Sequence, residues 1–133
     1  MALNPYANYK QISISTMSPG EQVVLLFNEA IKNMRLGAKL LREENFEAAE
    51  KCTEKSKRIF DYLMKALDRK YEISLELYKF YSFFNREIIR AEIRRDASVL
   101  EAVIPLVEEM RDTFSQAEKL SHINKGARNV RNL

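Results

Sequence analysis

Few residues in this chain carry side chains that could catalyse a reaction or hold a metal ion. The chain has one histidine, His122, and one cysteine, Cys52, which excludes acid-base catalysis by paired histidines, two-histidine metal sites and multi-cysteine zinc sites. We expect His122 to be an ordinary solvated residue and Cys52 to be a small packing residue. A phosphate-binding loop is absent too, since neither Gly20 nor Gly37 is followed by a Gly-Lys-Ser/Thr pattern. The sequence therefore predicts no catalytic residue, no metal site and no cofactor.

Charged residues occur in short groups that are typical of solvated helix faces. The pairs Glu43-Glu44 and Glu108-Glu109 lack the Glu-x-x-His partners that a di-iron bundle needs. A basic side of one predicted helix could contact RNA, but Glu87 and Glu92 interrupt its positive field. We therefore expect no nucleic-acid partner. The residues of that basic side are Arg86, Arg90, Arg94 and Arg95.

The composition favours a folded protein made of long helices. Apolar residues make up 46% and charged residues 31% of the chain, which is typical of globular domains, and only three glycines and three prolines are available for turns. The net charge of +3 comes from residues 121–133, which contain three basic residues and no acid. Neither a signal-like start nor an apolar stretch long enough to span a bilayer is present. We expect a cytoplasmic protein without membrane insertion.

Four amphipathic helices follow from the spacing of apolar residues. Ser18-Pro19-Gly20-Glu21 combines an N-cap, a proline at the first helical position and a glutamate that can close a capping box. The second helix has an apolar stripe from Phe46 to Leu67. Its residues are small at Ala49, Thr53 and Ser56 and large later, which predicts tighter helix packing at its start than at its end. The third helix runs to about residue 95, and the fourth starts after a cap at residue 96 and contains a proline at position 105 that should kink it.

These helices predict an all-α fold, an antiparallel up-down four-helix bundle with an N-terminal arm or short cap helix. Residues 1–17 form the flexible arm, residues 18–120 form the bundle domain, and residues 121–133 form a basic tail that we expect to be disordered.

More apolar residues are present than a single stripe on each helix requires. The third helix carries apolar and aromatic residues on two faces, and the first helix has additional ones at Val24, Leu25 and Ile31. This surplus either completes the core of the bundle or forms a groove for apolar helices of a partner.

Short motifs lie along residues 4–118, among them Asn4–Gln11, Ser18–Glu21 and Met110–Phe114. Together they resemble the flagellin-specific export chaperone family, FliS. Two positions differ from the usual family pattern, because Phe27 stands where tyrosine is common and Phe114 where tryptophan is common. Both changes keep an aromatic ring, so they affect hydrogen bonding rather than fold. The matching segments are Asn4–Gln11, Ser18–Glu21, Leu25–Asn28, Leu67–Asp68, Leu77–Phe80, Ala91–Asp96 and Met110–Phe114.

The resemblance implies a cytoplasmic chaperone, not an enzyme and without a cofactor, that binds the C-terminal segment of newly made flagellin. It also implies that the protein prevents premature polymerisation and helps to deliver flagellin to the flagellar type III export gate. The sequence leaves open whether a co-chaperone or an anti-sigma factor is a second partner. The N-terminal arm would occupy part of the binding groove until flagellin displaces it. An alternative is a helical-bundle adaptor or regulator that acts through self-association or RNA binding.

Ten residues are candidate flagellin contacts. Those in the arm match the family motif, and those in the helices are chosen because they lie off the main core stripes. They are Tyr6, Tyr9, Gln11, Val24, Phe27, Ile31, Leu75, Tyr78, Ser82 and Ile89.

Overall fold

The structure is a computed structural model that describes the backbone of residues 16–131 and the side chains of residues 16–124. Within this part of the chain the secondary structure is entirely helical, which confirms the predicted four-helix, all-α fold. The first helix packs against the second and the fourth, and the third packs against the same two, so the four helices form a closed ring. The helices are α1 (Pro19–Arg42), α2 (Phe46–Lys65), α3 (Ile73–Arg94) and α4 (Ala97–Arg131).

Contacts between helix ends show that neighbouring helices run antiparallel. Ser18, at the start of α1, reaches Glu118 near the far end of α4, whereas Arg42, at the end of α1, pairs with Glu101 near the start of α4. The hydroxyl of Ser56 on α2 donates a 2.8 Å hydrogen bond to the carbonyl of Ala30 on α1. This bond satisfies a buried hydroxyl that would otherwise oppose packing.

Two of the predicted helix starts are confirmed by their caps. The Ser18 hydroxyl accepts a hydrogen bond from the Glu21 amide at 3.2 Å, and Pro19 occupies the first position of α1. At the start of α4, the Asp96 carboxylate accepts hydrogen bonds from the amide and hydroxyl of Ser98 at 2.9 and 2.6 Å. These bonds lower the pKa of Asp96 below its ordinary value, and the Arg42 and Arg94 charges add to the effect.

The link between α3 and α4 is tight and uses a left-handed residue. Arg95 has φ 51° and ψ 43°, a conformation that favours glycine. Its guanidinium lies over the Phe46 ring, 4.3 Å from the ring centroid, and this cation–π contact helps to offset the backbone cost. The link thereby fixes the direction in which α3 meets α4.

An aromatic cluster fills one end of the core. Phe27 of α1 contacts the rings of Phe60, Tyr81 and Phe114 at centroid distances of 6.4, 6.1 and 5.4 Å, so all four helices meet at its ring. Phe84 packs on Phe60 at 5.2 Å. Burial raises the pKa of the Tyr81 hydroxyl to about 12, because the phenolate would lose its hydration.

The other end of the α1–α2 interface is built from small residues. A Cβ atom placed on Gly37 would come within 2.9 Å of the Thr53 methyl group and 3.7 Å of the Ala49 carbonyl oxygen. Glycine at this position therefore lets the two helices approach closely, as the small stripe of the second helix predicted.

The fourth helix is longer than its apolar stripe. We expected it to end near Leu120, but α4 continues to Arg131 and passes through Pro105 without a break in the helix. Val103, Ile104 and Val107 around Pro105 are buried, so packing compensates for the missing backbone hydrogen bond. After Pro105 the chain has no further proline and one glycine, Gly126, so no strong helix breaker follows.

Candidate functional site

An open apolar trough lies where α2 ends and α3 begins. Its volume is about 1100 Å³, larger than the ~300–1,000 Å³ of ordinary small-molecule pockets, and it opens to solvent along one side. A space of this shape fits a segment of polypeptide better than a metabolite. Its lining residues are Met64, Leu67, Arg69, Tyr71, Glu72, Ile73, Ser74, Leu75, Glu76 and Tyr78.

The connection between α2 and α3 shapes this trough through Asp68. Its carboxylate accepts a hydrogen bond from the Lys70 amide at 3.0 Å, and its carbonyl accepts bonds from the Tyr71 amide at 3.2 Å and from the Ser74 hydroxyl. The Lys70 ammonium lies 5.4 Å from the centroid of the Tyr71 ring. These contacts hold an aromatic side chain at the rim, although it lies outside any helix.

Polar contacts hold α3 against α2 beside the trough. The Ser82 hydroxyl lies 3.5 Å from the Met64 sulfur, and the Asn85 amide donates a 2.9 Å hydrogen bond to the Asp61 carboxylate. Each side chain crosses from one helix to the other. The wall of the trough is therefore fixed by hydrogen bonds as well as by apolar packing.

Near the end of α3, the half-buried carboxylate of Glu92 forms a further link to α2. It accepts hydrogen bonds from the Thr53 hydroxyl at 2.7 Å and from the Lys57 ammonium at 3.0 Å. Partial burial of Lys57 disfavours its charged form, but hydrogen bonds and Coulomb attraction from Glu92 and Glu54 outweigh this and raise the pKa of the ammonium. The contacts of Glu92 with Thr53 and Lys57, which we call the α2–α3 seam, therefore stabilise the charged form of Lys57 in the folded protein.

The exposed apolar surface extends along α3 beyond the trough. Six large apolar side chains of this single helix are exposed, an unusual number for a helix inside a bundle. They are Ile73, Leu75, Tyr78, Phe80, Ile89 and Ile93. Phe80 still packs its ring against Phe84 at a centroid distance of 6.4 Å, but about half of its surface stays exposed.

Four of the candidate contacts chosen from the sequence lie along this surface. Leu75 and Tyr78 line the trough and are exposed. Ser82 is half-buried one turn further along, and Ile89 is exposed two turns beyond Ser82. The structure brings Leu75, Tyr78 and Ser82 together and places Ile89 farther along the same helix.

Two candidates on α1 are in the core instead, so the expectation that they lie off the core stripe was wrong. Phe27 is 0% and Ile31 is 2% exposed. The reason is that α1 packs against both α2 and α4, so its buried face is wider than one stripe. Val24 is half-buried and does not line the trough.

The remaining candidates, Tyr6, Tyr9 and Gln11, lie outside the described residues. The arm as a whole therefore stays a prediction from the motif at residues 4–11.

Sequence reasoning missed several residues of the trough. Ile73 lines the trough and is exposed, yet it was not among the candidate contacts. Tyr71 stands in a connection, where helical periodicity carries no information. An aromatic residue directly after the charged group Asp68-Arg69-Lys70 was the available signal, because a solvated turn does not need one.

Within the described part of the chain, the side chains that could act in catalysis are not gathered into a catalytic site. Cys52 is buried, as expected of a packing residue. His122 is exposed, as expected of a solvated residue, and its Nε2 lies 2.9 Å from carboxylate oxygens of both Glu21 and Glu118. A search of the described helices finds none that is long and apolar enough to cross a membrane.

Comparison with known proteins assigns a family to this fold. The family model described as "Flagellar protein FliS" matches residues 2–121. The chain is 32% identical over 114 residues to the Flagellar secretion chaperone FliS of Bacillus subtilis (strain 168), and the match covers 86% of each chain. A solved structure described as "Crystal structure of flagellar chaperone from bacteria" has the same fold, with a TM-score of 0.72 at 20% identity, and covers 86% of this chain and 94% of that one.

Proposed function

The chain belongs to the flagellar protein FliS family, and from this premise we propose that it is a cytoplasmic export chaperone for flagellin. In this proposal it binds the C-terminal segment of newly made flagellin, prevents premature polymerisation and assists export through the flagellar type III system. The bundle acts by binding alone, without catalysis and without a cofactor.

The observation that carries the proposal is the apolar surface formed by the trough and the exposed side of α3. Burying one large apolar side chain contributes about 1.5–3 kcal/mol. Leu75, Tyr78 and Ile89 are each about half exposed, so covering them would supply about half of that amount per residue, before the costs of association are subtracted. A surface of this kind exposed on a folded domain is characteristic of a docking site.

A segment that folds on binding suits this surface. Flagellin segments that pack as amphipathic helices in a filament expose apolar stripes before assembly, and such stripes need cover in the cytosol. An amphipathic helix would place residues at i, i+3 and i+4 into the trough. Ordering the client on binding costs free energy, which keeps the complex reversible and permits release at the export gate.

The arm provides a way to regulate this binding. Tyr6, Tyr9 and Gln11 carry the family motif, and in the proposal they occupy part of the groove until flagellin displaces them. A competing arm lowers the apparent affinity by the fraction of closed molecules. Deleting residues 1–16 should change the client affinity measured by calorimetry, whereas equal affinity with and without the arm would remove it from the mechanism.

The first test is calorimetric titration of the protein with the C-terminal segment of flagellin from the same organism. We expect 1:1 binding with a negative heat-capacity change, because apolar surface is buried. Tyr78→Asp should weaken binding at least tenfold, since it puts a charge in the trough. The matched control is Tyr62→Asp, which changes an aromatic residue of similar exposure, 59% against 48%, outside the trough.

Three results would contradict the proposal. One is the absence of heat at several temperatures with a folded sample. Another is equal weakening by both substitutions, which would mean that the charge acts through stability rather than through the trough. The third is 1:1 binding that survives Tyr78→Asp unchanged, which would move the client to another surface.

The alternative is an adaptor that uses the same apolar surface for self-association, or its basic residues for RNA. Light scattering separates self-association from 1:1 client capture. Two of the four arginines proposed for RNA already have partners: Arg90 lies 3.0 Å from Glu87, and Arg95 stacks on Phe46. This engagement favours the client-binding reading over RNA.

A co-chaperone or an anti-sigma factor remains part of the proposal as a further partner. Such a partner would have to bind outside the trough while flagellin is present. Adding it to the preformed complex, with light scattering on the product, would show whether a ternary complex forms.

A further inference from the structure

Three metal-binding side chains converge where α1 begins. Glu21 lies in the first turn of α1, whereas Glu118 and His122 stand four residues apart on α4 and so share one face of that helix. The His122 Nε2 atom is 2.9 Å from an oxygen of each carboxylate. One donor atom from each of the three residues lies within 4.8 Å of the others.

This convergence holds more negative charge than an ordinary ion pair. A histidine ring nitrogen carries one hydrogen, so it can donate fully to one carboxylate and not to two. The ring supplies a charge of at most +1 against −2 for Glu21 and Glu118. A divalent cation held among the same three donors would balance the charge and engage all three residues at once.

The position of Glu118 is fixed by its surroundings rather than by the histidine. The Ser18 hydroxyl donates a 2.6 Å hydrogen bond to Glu118 Oε1. The other oxygen lies against Gly20, where an added Cβ would stand only 1.8 Å from Oε2. The carboxylate therefore occupies space that glycine leaves open, and hydrogen-bonded carboxylates of this kind are common among metal ligands.

We propose that Glu21, Glu118 and His122 bind one first-row divalent metal ion, with Zn²⁺ as the best match. Zinc binds imidazole nitrogen and carboxylate oxygen at about 2.0–2.2 Å, so tetrahedral ligands lie roughly 3.3 Å from one another. The observed 2.9 Å separations need to widen by only a few tenths of an ångström. Water would take the fourth position.

The donor set distinguishes this ion from others. Mg²⁺ and Ca²⁺ prefer six or more oxygen ligands, which two carboxylates and one imidazole do not supply. Imidazole favours zinc, nickel and copper. Bound there, the metal would clasp the start of α1 to α4, at the point where residues 1–17 join the bundle.

The test uses untagged full-length protein that competes for zinc with a chromogenic chelator. We expect the protein to withdraw one equivalent of zinc per chain. His122→Ala and Glu118→Gln should each reduce the affinity at least tenfold. Glu109→Gln, an exposed acid on the same helix outside the cluster, should leave it unchanged, and Cys52→Ala should do the same.

Thermal unfolding provides a second readout. Zinc should raise the midpoint of the wild-type protein and of Glu109→Gln but not that of His122→Ala, because a ligand that binds only the folded state stabilises it. Failure to take up zinc would overturn the proposal. Zinc affinity that is equal in His122→Ala and wild type, or calcium binding as tight as zinc, would do so as well. Circular dichroism on each variant ensures that the folded state is compared.

Discussion

The helices α1 and α3 are similar in length and apolar content but use their apolar residues differently. On α1 the large apolar side chains are buried or half-buried, with Leu36 as the exposed exception, whereas α3 exposes six of them. Both helices pack against the same two neighbours, α2 and α4. Apolar content therefore does not decide burial; what decides it is whether those residues lie within the arc that the neighbours cover. Apolar residues outside that arc stay exposed.

The largest expected effect comes from testing the buried side of this comparison. Ile31→Asp places a carboxylate among core residues, and an unpaired buried charge costs several kcal/mol, comparable to the ~5–15 kcal/mol that stabilises a typical domain. We expect loss of helicity by circular dichroism or a collapse of the urea midpoint. A variant that stays folded with wild-type stability but no longer binds the client would place Ile31 in the groove and break the comparison.

The next effect tests how α3 is held in place. Glu92→Ala removes the acceptor of Thr53 and Lys57, and we expect the free energy of unfolding to fall by about 1–3 kcal/mol. Glu87→Ala is the control, because Glu87 pairs with Arg90 on its own helix, an interaction of about 0.2–0.5 kcal/mol. Urea denaturation measures both. Equal losses would show that the seam contributes no more than a surface pair.

The α2–α3 seam also predicts that the stability of the fold depends on pH in the alkaline range. The pKa of Lys57 is raised in the folded state, so the stabilisation that its ion pairs give to folding is complete at a pH below the pKa of an unfolded lysine. That stabilisation is lost as the pH rises through the folded-state pKa. The stability difference between wild type and Glu92→Ala should therefore narrow at strongly alkaline pH.

The next prediction tests the exposed side of α3. Substitutions there should change stability little and client binding strongly. Ile89 and Leu36 are 42% and 43% exposed, and they lie on α3 and α1 respectively. Ile89→Asp and Leu36→Asp should each change the free energy of unfolding by no more than about 0.5 kcal/mol. Calorimetry should show weaker client binding for Ile89→Asp alone. Equal binding by both variants would confine the docking surface to the trough.

The smallest effect concerns the junction that ends α3. Ser98→Ala removes the hydroxyl that donates to Asp96, so the pKa of Asp96 should rise toward its ordinary value in an NMR titration. Because the pKa of Asp96 is lowered in the folded state, its carboxylate stabilises the fold at a pH above the pKa it has in the unfolded chain. This stabilisation is lost as the pH falls through the folded-state pKa. An unchanged titration would mean that the amide of Ser98 alone holds this carboxylate.

The fold could be predicted from the sequence because its signals are local. Capping residues at Ser18 and Asp96 mark helix starts, and the apolar stripes mark helices with a buried face. Periodicity identifies faces but does not say which neighbours cover them. For that reason Ile31, which was chosen as a groove residue, is buried, whereas Ile73, which was not chosen, is exposed and lines the trough.

The rest of the candidate site depends on residues distant in sequence. The position of α3 beside the trough depends on the bond from Asn85 to Asp61 of α2, and the cluster around His122 needs α4 to reach the start of α1. Hydrogen bonds over such separations leave no pattern in a single sequence. Leu75 and Tyr78 were found because an apolar residue off the core stripe is itself a local signal.

Closure of the ring by α4 also bears on how the protein is made. Phe27 on the first helix has its Phe114 contact on the last one, so the core stays open on one side until α4 has left the ribosome. Until then the nascent chain exposes its core residues and the proposed docking surface together, so a binding segment could not distinguish one from the other. If the chain binds a client as proposed, selective binding would therefore begin only after α4 has been synthesised.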